Sequence, residues 1–314
     1  MVAVIGLLAS APFLLPQQVP VELERVGGTI EVTVAGSPMA ALHFAGVARP
    51  FIFPFYGPTG AQMLRNYPFK DGVEGETDDH PHHTGIWFAH GDVNGADIWS
   101  QKGTMTIVRD PVINGSSVTL DLDIRGPDGE RVGSCKQRIS FGAIGDRARF
   151  VDFDVVMRAN EGGQLVLGDT KEGTMAIRTH PHLKLVQPKE FKGKLPVGQA
   201  VNSEGVTGPD IWGKRAAWVD YWGEVEGRTV GIALFDHPEN PRHPTWWHAR
   251  DYGLFAANPF GVSHFEGKPA GTGDMRLTGG AEVRFRYRFL FHTGDAETAG
   301  VASEYRKWAT GETR

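Results

Sequence analysis

An all-β fold, an antiparallel sandwich closed by a short C-terminal helix, is what this sequence predicts. Short alternating apolar and polar runs recur at intervals of roughly 10–16 residues, the spacing of a sandwich or barrel. Glycine (41) and proline (20) are abundant, as many tight turns require. Helical periodicity is clear in one place only, near the end of the chain.

The elements follow in order. Residues 21–47 read as short strands, among them Thr29–Val34, which runs into the turn Ala35-Gly36-Ser37-Pro38. Phe51–Tyr56 is an apolar run closed by Gly57-Pro58, and residues 60–83 form a long loop rich in Gly, Asp, Glu and His. Strands are expected at Gly103–Val108, Val118–Ile124, Ser134–Phe141, Arg149–Met157, Val166–Ile177 and His180–Val186. Residues 187–213 read as loop, and 217–225 with 229–235 as a hairpin about Glu226-Gly227-Arg228. In Glu282–His292, Val283, Phe285, Tyr287, Phe289 and Phe291 share one face, leaving Arg284, Arg286 and Arg288 to solvent. Asp295 caps a helix carried by Ala299, Ala302, Tyr305 and Ala309 and ended by Gly311.

Composition narrows the function. Of 314 residues, 40% are hydrophobic and 22% charged, enough for a sizeable core. A net charge of −5 supplies no basic field, which argues against a nucleic-acid partner. Cys135 is the sole cysteine, so no intrachain disulfide forms, and its alternating context predicts a packed core thiol rather than a nucleophile. Residues 1–18 read as a signal-like or disordered leader, apolar from Met1 to Leu15 with the small run Ala9-Ser10-Ala11. Export to the periplasm or beyond is favoured over a cytoplasmic location. At about 15 residues the leader is too short to span a bilayer comfortably, and no other stretch approaches ~20 apolar residues. With no linker and no repeat, residues 19–314 read as a single β-sandwich domain.

Of the 12 histidines, His80, His180, His237 and His243 precede proline, which favours extended strand ends or loops. If Asp78-Asp79-His80-Pro81-His82-His83 is extended, His80 and His82 project to one side and His83 to the other. His180 and His182 repeat the spacing. Such pairs suit general acid–base chemistry near neutral pH. Equally, His80, His82, His180 and His182 are candidate ligands for a divalent metal ion, the cofactor this pattern admits, with Asp78 or Glu172 nearby. The bland alternative is hydrogen-bonded corners.

Trp87 and Phe88 anchor a strand leading through His90 to Asp92 and Asn94, which read as a tight turn because a calcium loop's acidic twelfth position is missing. Asp169-Thr170-Lys171-Glu172-Gly173 offers Glu172 as an acid–base partner and Lys171 to stabilise an enolate or oxyanion, against the plainer reading of a salt-bridged hairpin end. The stretch 235–253 reads as a polar loop holding His237, His243, Trp246, Trp247, His248 and Arg250. Of the two tryptophans, one is expected to pack and the other to offer a flat face to a sugar ring. Asn258-Pro259-Phe260-Gly261 continues that loop towards the pocket. His83, His90, Asp169 and Asn258 join the substrate-binding candidates.

Four segments together resemble an uncharacterised bacterial family labelled methane-oxygenase-like, or PmoA-like. They are Asp79-His80-Pro81-His82-His83, Trp87 through Gly95, Asp169-Thr170-Lys171-Glu172-Gly173, and Phe235-Asp236-His237-Pro238 through Phe260-Gly261. The resemblance spans nearly all of residues 20–310 and implies a sugar-related role, since members tend to be encoded beside sugar oxidoreductases. Thr179-His180-Pro181-His182-Leu183-Lys184-Leu185 more weakly resembles the histidine strand of aldose mutarotase-like supersandwiches. Those enzymes set a histidine acid and a glutamate base across a sugar groove; the glutamate has no match here.

Three functions are consistent with these residues. The first is a carbohydrate-active enzyme moving protons on a sugar or keto-sugar by epimerisation, elimination or hydration. In it His80, His82, His180, His182 and Glu172 exchange protons, Lys171 or Arg250 stabilises negative charge, and Trp246 and Trp247 hold the ring. The second is a metal-dependent hydrolase or oxygenase, and the third a non-catalytic glycan-binding domain.

Overall fold

Turn chemistry sets where the first strands begin and end. Val21–Val26 reverses at Gly27, which sits at φ +60°, into Thr29–Val34, and that strand turns at Ala35-Gly36 into Ser37–His43. This meander, seen in a computed structural model describing residues 19–312, forms one end of a nine-stranded antiparallel sheet. The sheet continues through Phe51–Phe55, Ile86–His90, Gly173–Arg178, Leu254–Asn258, Thr245–Ala249 and Arg215–Ala216. A second nine-stranded antiparallel sheet runs Gln199–Asn202, Trp218–Val225, Arg228–Asp236, Glu282–Thr293, Ala148–Ala159, Arg131–Ile144, Ser117–Arg125, Thr104–Ile107, with Val112–Asn114 also on Ser117–Arg125.

Alternation places large apolar side chains between the sheets, where one core runs through both. Phe55 stacks on Phe291 at 3.7 Å between ring centroids, Phe255 on Tyr221 at 4.6 Å, and Phe88 meets Phe285 at 5.9 Å. Each such ring contributes about 1.5–3 kcal/mol by burial. Cys135 lies in this core, its thiol pushed up to about 12 by desolvation and so inert as a nucleophile.

The protein is thus an antiparallel β-sandwich with a short C-terminal helix, Val301–Thr310. The helix begins after Gly300, because Asp295 spends its carboxylate on the Thr298 amide in the preceding turn. It packs Val301, Tyr305 and Trp308, not Ala302, over Phe235 and Leu290.

Other segments also depart from expectation. Val166–Ile177 divides into Gln164–Leu167, which pairs with Met275–Thr278 and bridges to Val93, and the central strand Gly173–Arg178. His180–Val186 is no strand: Pro181 opens a 3₁₀ turn, and the His180 ring nitrogen accepts from the His182 amide. Residues 187–213 hold a strand, Gln199–Asn202, as well as turns. The arginine stripe of Glu282–Thr293 is solvated only in part: Arg284 is exposed and Arg286 partly so, as expected, but Arg288 is not. Arg284 and Arg288 pair across the sheet with Asp154 and Asp152, Arg286 pairs with Glu239, and Arg288 is buried.

The largest correction concerns residues 245–258, expected as polar loop. They form two central strands, and neither tryptophan is exposed: Trp246 is 6% and Trp247 0% accessible. Neighbouring strand residues point to opposite faces, and here both faces are covered. Trp247 enters the core and donates to the Ala216 carbonyl. Trp246 lies beneath Arg215 and donates to Glu266 of the helix Val262–Glu266.

Candidate functional site

The site grows from the middle of the first sheet, on the face turned away from the second. Phe88 points into the core, so Trp87 points outward. Across the strands, Trp87 is aligned with Ala176, Ala176 with Ala256, and Ala256 with His248. Two small alanines separate the indole from the imidazole along this line, and Trp87, Ala176 and Ala256 are fully buried beneath the loops that cover the face. Arg178 stands two residues along the same face. Two glycines bring the walls close: Gly85, at φ +62°, has no room for a Cβ beside the Ile52 carbonyl, and Gly91 packs directly on Glu172.

Loop 79–84 closes one side. His80 adopts a left-handed φ of +47°, and the His83 amide turns back to its carbonyl, so the segment is bent rather than extended. His80 and His82 therefore meet edge to face at 5.7 Å instead of lining one side of a strand. Arg65, fully buried, holds the bend through the Asp79 and His80 carbonyls at 2.8 and 2.9 Å. Its pKa falls to about 10 through desolvation and the neighbouring Arg178, and it stays cationic at neutral pH.

Asp79 is the hub. One carboxylate oxygen accepts from Arg65 at 2.7 Å and from Arg178 at 2.9 Å, while the other faces His80 Nδ1 at 3.2 Å. Desolvation works to raise this carboxyl, but Arg178, Arg65 and His80 outweigh it and hold it below its ordinary value. Arg178 also donates to His83 Nδ1 at 3.2 Å, and His83 stacks between His80 and Trp87. Desolvation and then Arg178 push His83 far below the usual imidazole range, so it serves as a neutral acceptor.

His82 is only partly buried, and no side-chain bond fixes its ring. Desolvation, then Arg49 and His80, lowers it to about 4, with Asp97 and Glu172 near enough to oppose the shift. It is a free base at neutral pH. Glu172 faces Lys171 at 3.4 Å and His248 Nδ1 at 3.9 Å, and is one-third exposed. His248 is buried, donates to the Lys171 carbonyl at 2.7 Å, and is lowered chiefly by desolvation. Tyr252 closes the far side, its ring 4.5 Å from the Arg178 guanidinium, 5.5 Å from that of Arg250 and 6.0 Å from His80. Desolvation raises its hydroxyl, which stays a proton donor at neutral pH.

Of the residues expected from sequence, His80, His82, His83, Lys171, Glu172, His248 and Arg250 come together here. The others are held in hydrogen bonds and packing of their own. His180 and His182 form their own edge-to-face pair at 4.9 Å, with His182 against the Glu224 carbonyl of the second sheet. His90 is buried on the Gly168 carbonyl. Asp169 accepts the Ser263 and Gly273 amides, and Asn258 ties Thr170 to Phe260 and Gly261. His243 pairs with buried Asp236, and His237 accepts the Glu239 amide and packs on Trp308. Their bonds are those of structural corners.

A divalent ion does not fit the expected ligands. Among the described residues no three His, Cys, Asp or Glu side chains gather as a ligand set. Tyr252, Arg49, Arg65 and Arg178 were not anticipated. Arg49 and Arg65 carry no local pattern, whereas Tyr252 sits two residues after Arg250 in a stretch already marked as rich.

The fold and site define a class: an antiparallel two-sheet protein with an arginine-braced cluster of acid–base groups on the outer face of one sheet. Within that class the chain belongs to a family of unknown function, DUF6807, which it matches over residues 29–306. That family gives no support to a methane-oxygenase-like label, and no helix among the described residues is long and apolar enough to cross a membrane. No curated protein matches. Among solved structures, the galactose mutarotase related enzyme of Lactobacillus acidophilus is similar at 10% identity, over 87% of this chain and 97% of its own, with a TM-score of 0.32. The GalM/aldose epimerase homologue of C. elegans is similar at 7% identity, over 88% and 99%, with a TM-score of 0.33. Such scores carry no argument about chemistry here. The segment 1–18, read as a leader, lies outside the described residues.

Proposed function

We propose that this protein is a carbohydrate-active enzyme that moves protons on a sugar or keto-sugar, by epimerisation, elimination or hydration. The observation that carries the reading is the grouping of different proton-handling side chains on one rim. His82 is neutral and only partly buried, His80 is oriented by Asp79, and Glu172 is near enough to act on His82 electrostatically, with its carboxylate partly open to water. Burial keeps the His82 ring a free base and the Tyr252 hydroxyl protonated, the opposite states that paired base and acid roles require.

In this reading His82 or Glu172 takes a proton from the sugar and the Tyr252 hydroxyl returns one. Arg250 and Lys171 stabilise the negative charge that develops. His83, Asp79, Arg65 and Arg178 position the rim and touch no substrate. The partly exposed rings of His80 and Tyr252 give a sugar flat faces, and the polar rim meets its hydroxyls. The glycan-binding alternative loses its platform with the burial of both tryptophans.

The test uses the full chain in D2O with aldoses, ketoses and the corresponding uronates, followed by proton NMR. Loss or scrambling of a C–H signal is expected, slowed about 10²–10⁴-fold by His82→Ala. No exchange with any of these compounds, or rates unchanged in both His82→Ala and Glu172→Gln, would overturn the proposal.

A further inference from the structure

The rim sits over an unusual concentration of positive charge. Arg49 is 1% exposed, with its guanidinium 5.3 Å from the centre of the Trp87 ring. One of its N–H groups reaches the His82 carbonyl, which also accepts the Thr84 amide at 3.1 Å. Its Nε and Nη1 have no partner, and neither do Trp87 Nε1 and Thr84 Oγ1. These are hydrogen-bond donors gathered at one spot, and a buried donor left unpaired costs about 1–3 kcal/mol. Among the described residues no carboxylate pairs with Arg49; Asp97 acts on it only at a distance. At the rim, Arg250 forms no ion pair among the described residues, is partly exposed and lies over Tyr252.

A neutral sugar gives these cations nothing to neutralise. We propose that the substrate class is a carboxylate-bearing carbohydrate, a uronate or related sugar acid. Arg250 receives the carboxylate, and Arg49 favours negative charge from beneath the His82 turn. The inference rests on the site read above and specifies what that site takes. Asp79 cannot supply the missing counter-charge, because Arg65 and Arg178 already share it. A carboxylate held by Arg250 would also acidify the neighbouring C–H, which is the proton His82 is placed to take.

Calorimetry on the full chain with D-glucuronate and D-galacturonate, against D-glucose and D-galactose, tests the proposal, with acetate as a plain carboxylate control. Each uronate is expected to bind at least about tenfold tighter than its hexose, the worth of one charge-assisted pair. Arg250→Gln should remove most of that difference. Arg49→Lys, which keeps the charge, should retain more of it than Arg49→Gln, with folding checked by circular dichroism. Hexoses binding as well as uronates, a preference indifferent to Arg250→Gln, or acetate binding as tightly as uronate would overturn the anionic class while leaving the proton-transfer reading standing. Absence of binding by both uronates would likewise overturn the anionic class, whereas the proton-transfer reading falls only with the absence of exchange in D2O.

Discussion

Replacing Asp79 by alanine should destabilise the protein through two arginines that lie beneath it. The Arg65 and Arg178 side chains are fully buried, and both donate to the same Asp79 oxygen. Breaking a buried ion pair costs about 3–5 kcal/mol because the remaining charge is stranded. Asp79 itself is 38% exposed, so water can enter and the figure must be discounted. The partners also differ: Arg65 retains the Asp79 and His80 carbonyls, whereas Arg178 retains only the His83 ring nitrogen. Most of the loss therefore falls on Arg178, and about 2–4 kcal/mol is expected overall. In urea unfolding this lowers the midpoint by roughly 1 M with the slope unchanged. Asp79→Asn keeps an acceptor but no charge and should lose about half as much. The pH dependence adds a check of sign. The folded carboxyl is held below its unfolded value, so its contribution is complete at neutral pH and drains away as pH falls below about 4. Asp79→Asn should remove that part of the acid limb. A midpoint for Asp79→Ala within about 0.2 M of the parent, or an unaltered acid limb in Asp79→Asn, would refute the bracing role.

Four further outcomes follow from the same geometry. Because His82 is lowered to about 4, activity that needs its free base should persist as pH falls through 6 and decline only near 4; a limb at the ordinary imidazole value would assign the base elsewhere. His180→Ala and His182→Ala should change turnover by far less than the about 10²-fold of a positioned acid or base, as kinetics of the purified variants would show. Trp247→Ala should cost about 3–5 kcal/mol in denaturant unfolding, because it opens a cavity and frees the Ala216 carbonyl. Gly85→Ala should also destabilise, by more than the about 1–2 kcal/mol of a left-handed residue, since its Cβ would meet the Ile52 carbonyl; an unchanged melting temperature would contradict the close approach.

The sandwich was legible because alternation is a local property. In Glu282–Thr293, Phe285, Tyr287, Phe289 and Phe291 announce an inner face whatever lies opposite them. The same pattern cannot say what covers the other face. The arginines of that strand looked solvated, yet Arg288 is buried because Asp152 stands one strand away in space, 136 residues away in sequence. The tryptophans misled for the same reason. Pro238, Pro241 and Pro244 mark turns correctly, but whether Trp246 and Trp247 lie on a loop or a central strand depends on pairing with Leu254–Asn258 and Arg215–Ala216.

Within the candidate site, the visible part was what is dense in sequence: the histidines of 80–83 and the charges of 171–172. Their supports are single residues on distant strands and loops. Arg178 closes the strand Gly173–Arg178, Arg65 lies in the long loop, and Arg49 precedes Phe51–Phe55. None has a motif, and each acts only because the register aligns Trp87, Ala176, Ala256 and His248 across one face. His-Pro pairs alone therefore did not define the chemistry. His80 gains a role because Asp79 can hold it, Asp79 can do so because two buried guanidiniums hold Asp79, and His180 has no comparable support. What separates the two clusters is the charge beneath them rather than their sequence.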